Sequence, residues 1–95
     1  MRITWDPEKA SSNLKKHRVS FEVAATIFDD PMVLSIRENT YRAEERWVSL
    51  GMAADHRTLI VVHTWRVDDI DGEIVRLISA RRATAHERRQ YEEGI

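Results

Sequence analysis

The feature that most constrains this chain is a change of hydrophobic period at Asp29-Asp30-Pro31. Before that point apolar residues recur at helical spacing: Phe21, Ala24, Ala25 and Phe28 stand at i, i+3, i+4 and i+7, one face of a helix that Ser20 is placed to cap. After it the period becomes two. Met32 to Ile36 is a short apolar run, Arg46-Trp47-Val48-Ser49-Leu50 alternates, Leu59 to Trp65 is rich in β-branched residues, and Ile74 to Ala80 alternates again. The turns fall at Glu38 to Glu44, Ala53 to Arg57, and an acidic stretch from Val67 to Glu73 that contains Gly72. Each is too short for a parallel crossover, so the expected core is a four-stranded antiparallel meander in chain order. The helix that carries Phe21 and Phe28 is expected on its apolar face.

The ends read as follows. Arg2-Ile3-Thr4-Trp5 alternates as a short strand does, and Asp6-Pro7 gives an N-cap followed by proline at the first helical position. The first helix runs from Pro7 to about His17, with a thin apolar stripe of Ala10, Leu14 and the ring of His17, so it belongs on the surface. Thr84-Ala85-His86-Glu87 is a capping box that starts a last helix ending near Glu93. Thr84 and Glu87 thereby have structural work and no chemistry is assigned to them. With no linker, repeat or low-complexity stretch, residues 1–95 read as a single α+β domain with two N-terminal helices and one C-terminal helix.

Cysteine is absent, which excludes disulfides and thiolate metal sites. The opening residues lack a signal-peptide apolar stretch, and no run approaches the roughly 20 apolar residues of a bilayer span. A soluble cytoplasmic protein without a membrane partner is expected. The net charge of -1 gives no global field for nucleic acid. The charges are unevenly placed, however: Arg81, Arg82, Arg88 and Arg89 fall together, while Asp68, Asp69, Asp71 and Glu73 form an acidic loop. A basic patch is compatible with the neutral total.

Gly-rich phosphate loops, histidine pairs at metal-ligand spacing and nucleophile elbows are all missing, so neither a metal nor a cofactor is expected. What remains is a set of cations on or just beyond strands. Arg46 opens one strand, His63 and Arg66 end the next, Arg76 lies inside the last, and Arg81 and Arg82 close it. By strict alternation Ile74, Arg76, Ile78 and Ala80 share a face, and Val75, Leu77, Ser79 and Arg81 the other. Arg76 therefore either snorkels to an edge or stands in a cleft. Arg81, beside a second arginine and just before a helix N-terminus, is placed either to hold a phosphate or to pack at the strand end. His63 is either a partly buried histidine with a backbone partner or a general acid or base. Lys16-His17 suits the end of the first helix, and Tyr91 suits packing.

Taken in order, these residues resemble the BrnT family of small ribonuclease toxins. The similarity runs through Trp5-Asp6-Pro7, Asn13-Leu14-Lys15-Lys16-His17, Val19-Ser20-Phe21-Glu22, Ala24-Ala25 and Phe28-Asp29-Asp30-Pro31. It continues through Glu45-Arg46-Trp47-Val48, Gly51, Val61-Val62-His63-Thr64, Arg66, the segment from Arg76 to Thr84, and Glu87-Arg88-Arg89-Gln90-Tyr91-Glu92. Two features depart from the family's pattern. Arg18 stands where the family often has glycine, so it is expected in a left-handed conformation after the helix. The acidic turn from Val67 to Glu73 looks longer than in many relatives, and its carboxylates would repel RNA if it flanked the site.

The resemblance implies a RelE-like fold and metal-independent RNA cleavage. It also implies a BrnA-type antitoxin as partner, with DNA bound only indirectly through the antitoxin complex. On that basis Arg81 and Arg66 are cast as phosphate and transition-state stabilisers, His63 as the proton-transfer candidate and Lys16 as a further cation. Arg46, Arg82 and Arg88 are cast as RNA-positioning residues. Trp5, Trp47, Trp65, Tyr41 and Tyr91 are the aromatics available to stack a base. Two rival readings remain open at this stage: a pure binding module whose arginines serve an interface, and a degenerate toxin that binds antitoxin without cleaving RNA.

Overall fold

The structure is a computed structural model that describes residues 1–38 and 45–94. Most of the turn expected at Glu38 to Glu44, with Tyr41, lies outside the described residues. Five strands, β1 (Arg2–Trp5), β2 (Leu34–Glu38), β3 (Arg46–Met52), β4 (Thr58–Asp68) and β5 (Gly72–Arg82), form one sheet in the order β1-β5-β4-β3-β2. The helices are α1 (Pro7–His17), α2 (Phe21–Ala25) and α3 (Ala85–Glu93).

β2 to β5 pair antiparallel in chain order, as the period-two pattern requires. The expected four-stranded antiparallel sheet is nevertheless incomplete. β1 adds a fifth strand, parallel to β5, with Ile3 opposite Val75 and Trp5 opposite Leu77. The sheet is therefore mixed. Alternation in Arg2-Ile3-Thr4-Trp5 signals a strand but carries no information about a partner so far away in sequence. Ile3 and Trp5 reach the core cluster, and the Trp5 ring meets Phe21 edge-on at 6.0 Å.

The second helix also differs from expectation. α2 ends at Ala25 and the chain tightens into a 3-10 turn over Thr26–Asp29. Thr26 is β-branched, and its hydroxyl donates to the Val23 carbonyl at 2.6 Å while accepting from the Ala54 amide at 2.8 Å, so this side chain ties the helix end to the β3–β4 turn. Phe21, Ala24 and Ile27 are buried against Leu59, Val61, Val75, Leu77 and Ala80 of the sheet. Each large side chain contributes about 1.5–3 kcal/mol by leaving water. Gly51 permits this approach, since a Cβ there would sit 3.1 Å from Ile27 and from Val33.

β5 departs from strict alternation. His63 pairs with Leu77 and Val62 with Ser79, which leaves Ile78 as the extra residue of a β-bulge. The bulge moves Ala80 onto the core face with Leu77 and turns Arg81 to the other face, opposite Ile60. The face assignment made by simple alternation is thus inverted beyond Leu77. Where β1 stops, the buried Asn13 of α1 takes over as partner of β5. Its Nδ2 donates to the carbonyls of Ala80 and Val19, both at 2.9 Å, and its Oδ1 accepts from the Ala80 amide at 3.0 Å. Arg18 then closes α1 at φ 59° and ψ 31°, the left-handed conformation expected of that position.

β4 and β5 are longer than their apolar runs. Their hairpin narrows the acidic turn to residues 69–71, with Asp68 opposite Gly72 and Gly72 at φ 69°. Asp68 Oδ1 accepts from the amides of Ile70 and Asp71, and Arg2 pairs with Asp71 at 3.1 Å.

Candidate functional site

The site residues read from the sequence separate into different places. Arg66 lies near the acidic hairpin tip, with its side chain 67% exposed and Asp68 3.7 Å away. Arg81 lies opposite Ile60, six positions from Arg66 along the paired strand. At about 3.3 Å per residue the two are about 20 Å apart, too far to hold one phosphate. Arg46 opens β3 at the Arg66 end, opposite Glu38. Lys16 lines a groove between α1 and β5 with Lys9 and His17, a groove that also carries Asp6 and Glu8.

His63 is fully buried in the core side of the sheet. Its Nδ1 lies 2.9 Å from the Thr64 carbonyl, an acceptor, so Nδ1 holds the proton and Nε2 accepts from the Ser49 hydroxyl at 2.6 Å. Ser35 extends the chain to Ser49 at 2.7 Å, and Phe28 meets the imidazole edge-on at 4.9 Å. Burial pulls the His63 pKa below its ordinary 6.5, outweighing the Thr64 hydrogen bond. Both ring nitrogens are committed within the fold.

Among the aromatics, Trp5 packs half-buried against the core, Tyr91 donates to Asp30 Oδ2 at 2.5 Å, and Trp47 and Trp65 pair edge-on at 5.2 Å. The Trp47 indole N–H is buried and finds no acceptor among the described residues.

Arg81 does not stand free at the strand end. Its guanidinium grips Glu87 through two hydrogen bonds, NH1 to Oε1 at 2.8 Å and NH2 to Oε2 at 2.9 Å, and NH1 also reaches the Arg82 carbonyl at 3.2 Å. Glu87 Oε1 accepts in addition from the Thr84 amide at 2.8 Å, and Thr84 Oγ1 accepts from the Glu87 amide at 3.1 Å, completing the expected capping box. The Arg81 fork, with the Thr84 amide and hydroxyl, holds the Glu87 carboxyl down at about 2. Glu87 in turn raises Arg81. One network therefore joins the end of β5 to the start of α3.

That junction borders a groove of about 380 Å³ lined by His56, Arg57, Thr58, Arg82, Ala83 and Arg88. Three elements build it. The β3–β4 turn closes through Ala53 N to Arg57 O at 2.9 Å and places His56 at φ 69°. The Ala83 amide donates to the Thr58 carbonyl at 2.9 Å, which brings Arg82 beside that turn. α3 then supplies Arg88 one position beyond the clamped Glu87. Arg57 is held by Asp55 at 2.6 Å and by the Arg18 carbonyl at 3.0 Å, whereas the side chains of His56, Arg82 and Arg88 make no hydrogen bond or ion pair among the described residues. Among the described residues no carboxylate lines this groove. Three other grooves on the described surface each carry at least one: Asp29 and Asp30, Asp6 and Glu8, or Glu45.

The sequence reading named Arg82 and Arg88 here but missed His56 and Arg57. The available signal was their position in the turn expected at Ala53 to Arg57. Among the described residues no group of three or more His, Cys, Asp or Glu is arranged to hold a metal, and no helix is long and apolar enough to cross a membrane.

The family model described as ribonuclease toxin, BrnT, of type II toxin-antitoxin system matches residues 5–87. The chain belongs to the BrnT family. That membership places it among ribonuclease toxins of type II toxin-antitoxin systems. A crystal structure of the Brucella abortus ribonuclease toxin BrnT is similar with a TM-score of 0.59 at 22% identity, over 88% of this chain and 97% of that one. At that identity the likeness speaks for a BrnT fold. A comparison with curated proteins gives no match.

Proposed function

We propose that this BrnT family chain cleaves RNA without a metal ion, holding the scissile phosphate in the groove of His56, Arg82 and Arg88, and that a BrnA-type antitoxin neutralises it. The observation that carries the reading is the cationic groove free of carboxylates, built where β5 meets α3. Cleavage by the neighbouring ribose 2′-hydroxyl needs a base for that proton and donors for the charge that grows on the phosphate. His56, exposed beside the groove, takes the proton-transfer role. Arg82 and Arg88 present guanidinium forks to the phosphate oxygens. Arg81 is assigned to hold α3 in place through Glu87 rather than to meet the phosphate. Arg46 and Arg66, at the opposite end of the sheet, and Lys16 and His63 keep no direct role in this arrangement.

The acidic turn supports the placement, because it lies at the far end of β4 and β5, where it does not repel RNA bound at Arg82. The test is cleavage of single-stranded RNA by the purified protein in excess EDTA. The expected result is full activity in the wild type and loss in His56→Ala and in the Arg82→Ala, Arg88→Ala double variant, each with an unchanged unfolding midpoint. Cleavage that survives all three substitutions would place the site elsewhere, and cleavage that needs added metal would end the metal-independent reading.

A further inference from the structure

We infer that the pocket next to this groove reads a guanine base, with Asp29 as the residue that selects it and Tyr91 as the surface on which it stacks. The inference deepens the proposed function and rests on it for RNA as the ligand. The pocket has a volume of about 350 Å³, and Asp29, Asp30, Met52, His56 and Tyr91 stand in its lining. That volume falls within the roughly 300–1,000 Å³ of small-molecule sites. His56 lines both cavities, so the two meet at this side chain. Arg88 and Tyr91 stand three positions apart on α3, which makes them neighbours at about 5–6 Å on one helix face. A single nucleotide bridges such a separation, its phosphate on Arg88 and its base on Tyr91.

The two cavities differ in charge, and the difference assigns them different parts of a nucleotide. A phosphate is drawn to Arg82 and Arg88 and repelled by Asp29 and Asp30, whereas a base is uncharged and presents N–H donors. The two carboxylates are not equivalent. Asp30 Oδ1 accepts from the Met32 amide at 2.9 Å, and Oδ2 accepts from the Met52 amide at 2.9 Å and from the Tyr91 hydroxyl. Asp30 is thus a support that fixes Tyr91 at the pocket, where an aromatic ring serves as a platform for stacking. Asp29 is exposed and makes no hydrogen bond or ion pair among the described residues, so both its oxygens are open to a ligand. A carboxylate is best met by two parallel donors. Guanine offers them side by side on its pairing edge, N1–H and the N2 amino group. In adenine, cytosine and uracil each donor is flanked by acceptors that a carboxylate repels. A guanine held there brings its own ribose to His56. As the 2′-oxygen gives its proton to His56 it bonds to phosphorus, the P–O5′ bond breaks, and the departing 5′-oxygen takes a proton from solvent. Cuts therefore fall on the 3′ side of guanosine.

The experiment titrates the full chain with the four nucleoside 3′-monophosphates, followed by NMR amide shifts, and maps the ends of the fragments cut from a mixed-sequence RNA. Guanosine 3′-monophosphate is expected to bind about tenfold tighter than the adenosine, cytidine and uridine compounds. Asp29→Asn is expected to erase that preference with an unchanged unfolding midpoint, because Asp29 holds nothing in the fold. Asp69→Asn, the same change of charge at the distant hairpin tip, is expected to keep it. RNA cut by the wild type should end in guanosine, and RNA cut by Asp29→Asn in any of the four nucleosides. Equal binding of the four nucleotides, a preference for another base, or cuts indifferent to sequence in the wild type would overturn the inference. So would a guanine preference that survives Asp29→Asn or disappears in Asp69→Asn. A guanine preference that depends on Asp29, in a chain that cleaves no RNA, would sustain the pocket and count against the proposed function instead.

Discussion

Arg81 and Glu87 face each other fork to fork across the junction of β5 and α3, with both N–H···O distances below 3.0 Å. α3 has no buried residue of its own, so this pair and the Tyr91–Asp30 hydrogen bond are its principal side-chain anchors. Arg81→Ala is therefore expected to destabilise the protein. The pair is partly exposed, with side chains at 41% and 24%, and solvent screening limits the loss to about 1 kcal/mol. For a domain of this size that lowers the thermal midpoint by roughly 4–8 °C. Any fall in RNA cleavage should track the displacement of α3 and be partly rescued by Arg81→Lys. An unchanged midpoint in Arg81→Ala would refute the anchoring role.

The same pair sets an acid limit. Glu87 titrates at about 2 in the folded chain against an ordinary value of 4.5. Its folded pKa is depressed, so its contribution is complete above 4.5 and is lost as pH falls from there towards 2. Unfolding midpoints measured across that window should drop more steeply for the wild type than for Glu87→Gln. Parallel curves for the two proteins would show that Glu87 is not held by charge.

His63 adds a second, earlier slope. The folded pKa lies below the ordinary 6.5, so the unfolded chain takes up this proton first. Stability is full above 6.5 and falls as pH drops below it. In an NMR titration the His63 ring should stay neutral, with its proton on Nδ1, to a pH below the ordinary 6.5. A His63 ring that charged at or above 6.5 would contradict its burial.

Asn13→Ala should be among the costliest single substitutions. It leaves the Ala80 amide and the carbonyls of Ala80 and Val19 buried without partners, at about 1–3 kcal/mol for each unsatisfied group. Chemical denaturation should show a loss of about 3 kcal/mol or more, or no folded protein at all. A loss below 1 kcal/mol would mean that water replaces the amide.

Arg18→Gly should move stability the other way. Arg18 occupies left-handed backbone at φ 59°, and its hydrogen bonds among the described residues are made by main-chain atoms that glycine retains. A gain of about 0.5–1 kcal/mol is expected from equilibrium unfolding. A loss would show that the Arg18 side chain contributes packing.

The strands, caps and hairpins were legible because each leaves a local signature: alternation around Val48 and Val61, Ser20 and Thr84 before their helices, Gly72 at a tight turn. What stayed hidden depends on contacts between distant segments. The pairing of β1 with β5 has no local sign. The bulge at Ile78 has none either, since no glycine marks it, and it reverses the direction of Arg81. Alternation set Arg81 on the face of Val75 and Leu77 and left open whether it held a phosphate or packed at the strand end, whereas the fold turns it to the other face and pairs it with Glu87. The gathering of His56 with Arg82 and Arg88 likewise follows from the hydrogen bond between Ala83 and Thr58 and not from spacing in the chain.

The replacement of a strand by Asn13 has a consequence for synthesis. The backbone that Asn13 must pair with is made 67 positions later, and β1 likewise waits for Ile74 to Leu77. A growing chain can form α1 and the first hairpins, but it cannot close its N-terminal edge until β5 has emerged. Arg82 and Arg88 emerge after that edge has begun to close. The nascent chain should thus remain an open sheet without a basic groove, and so without the proposed catalytic centre, for most of its translation.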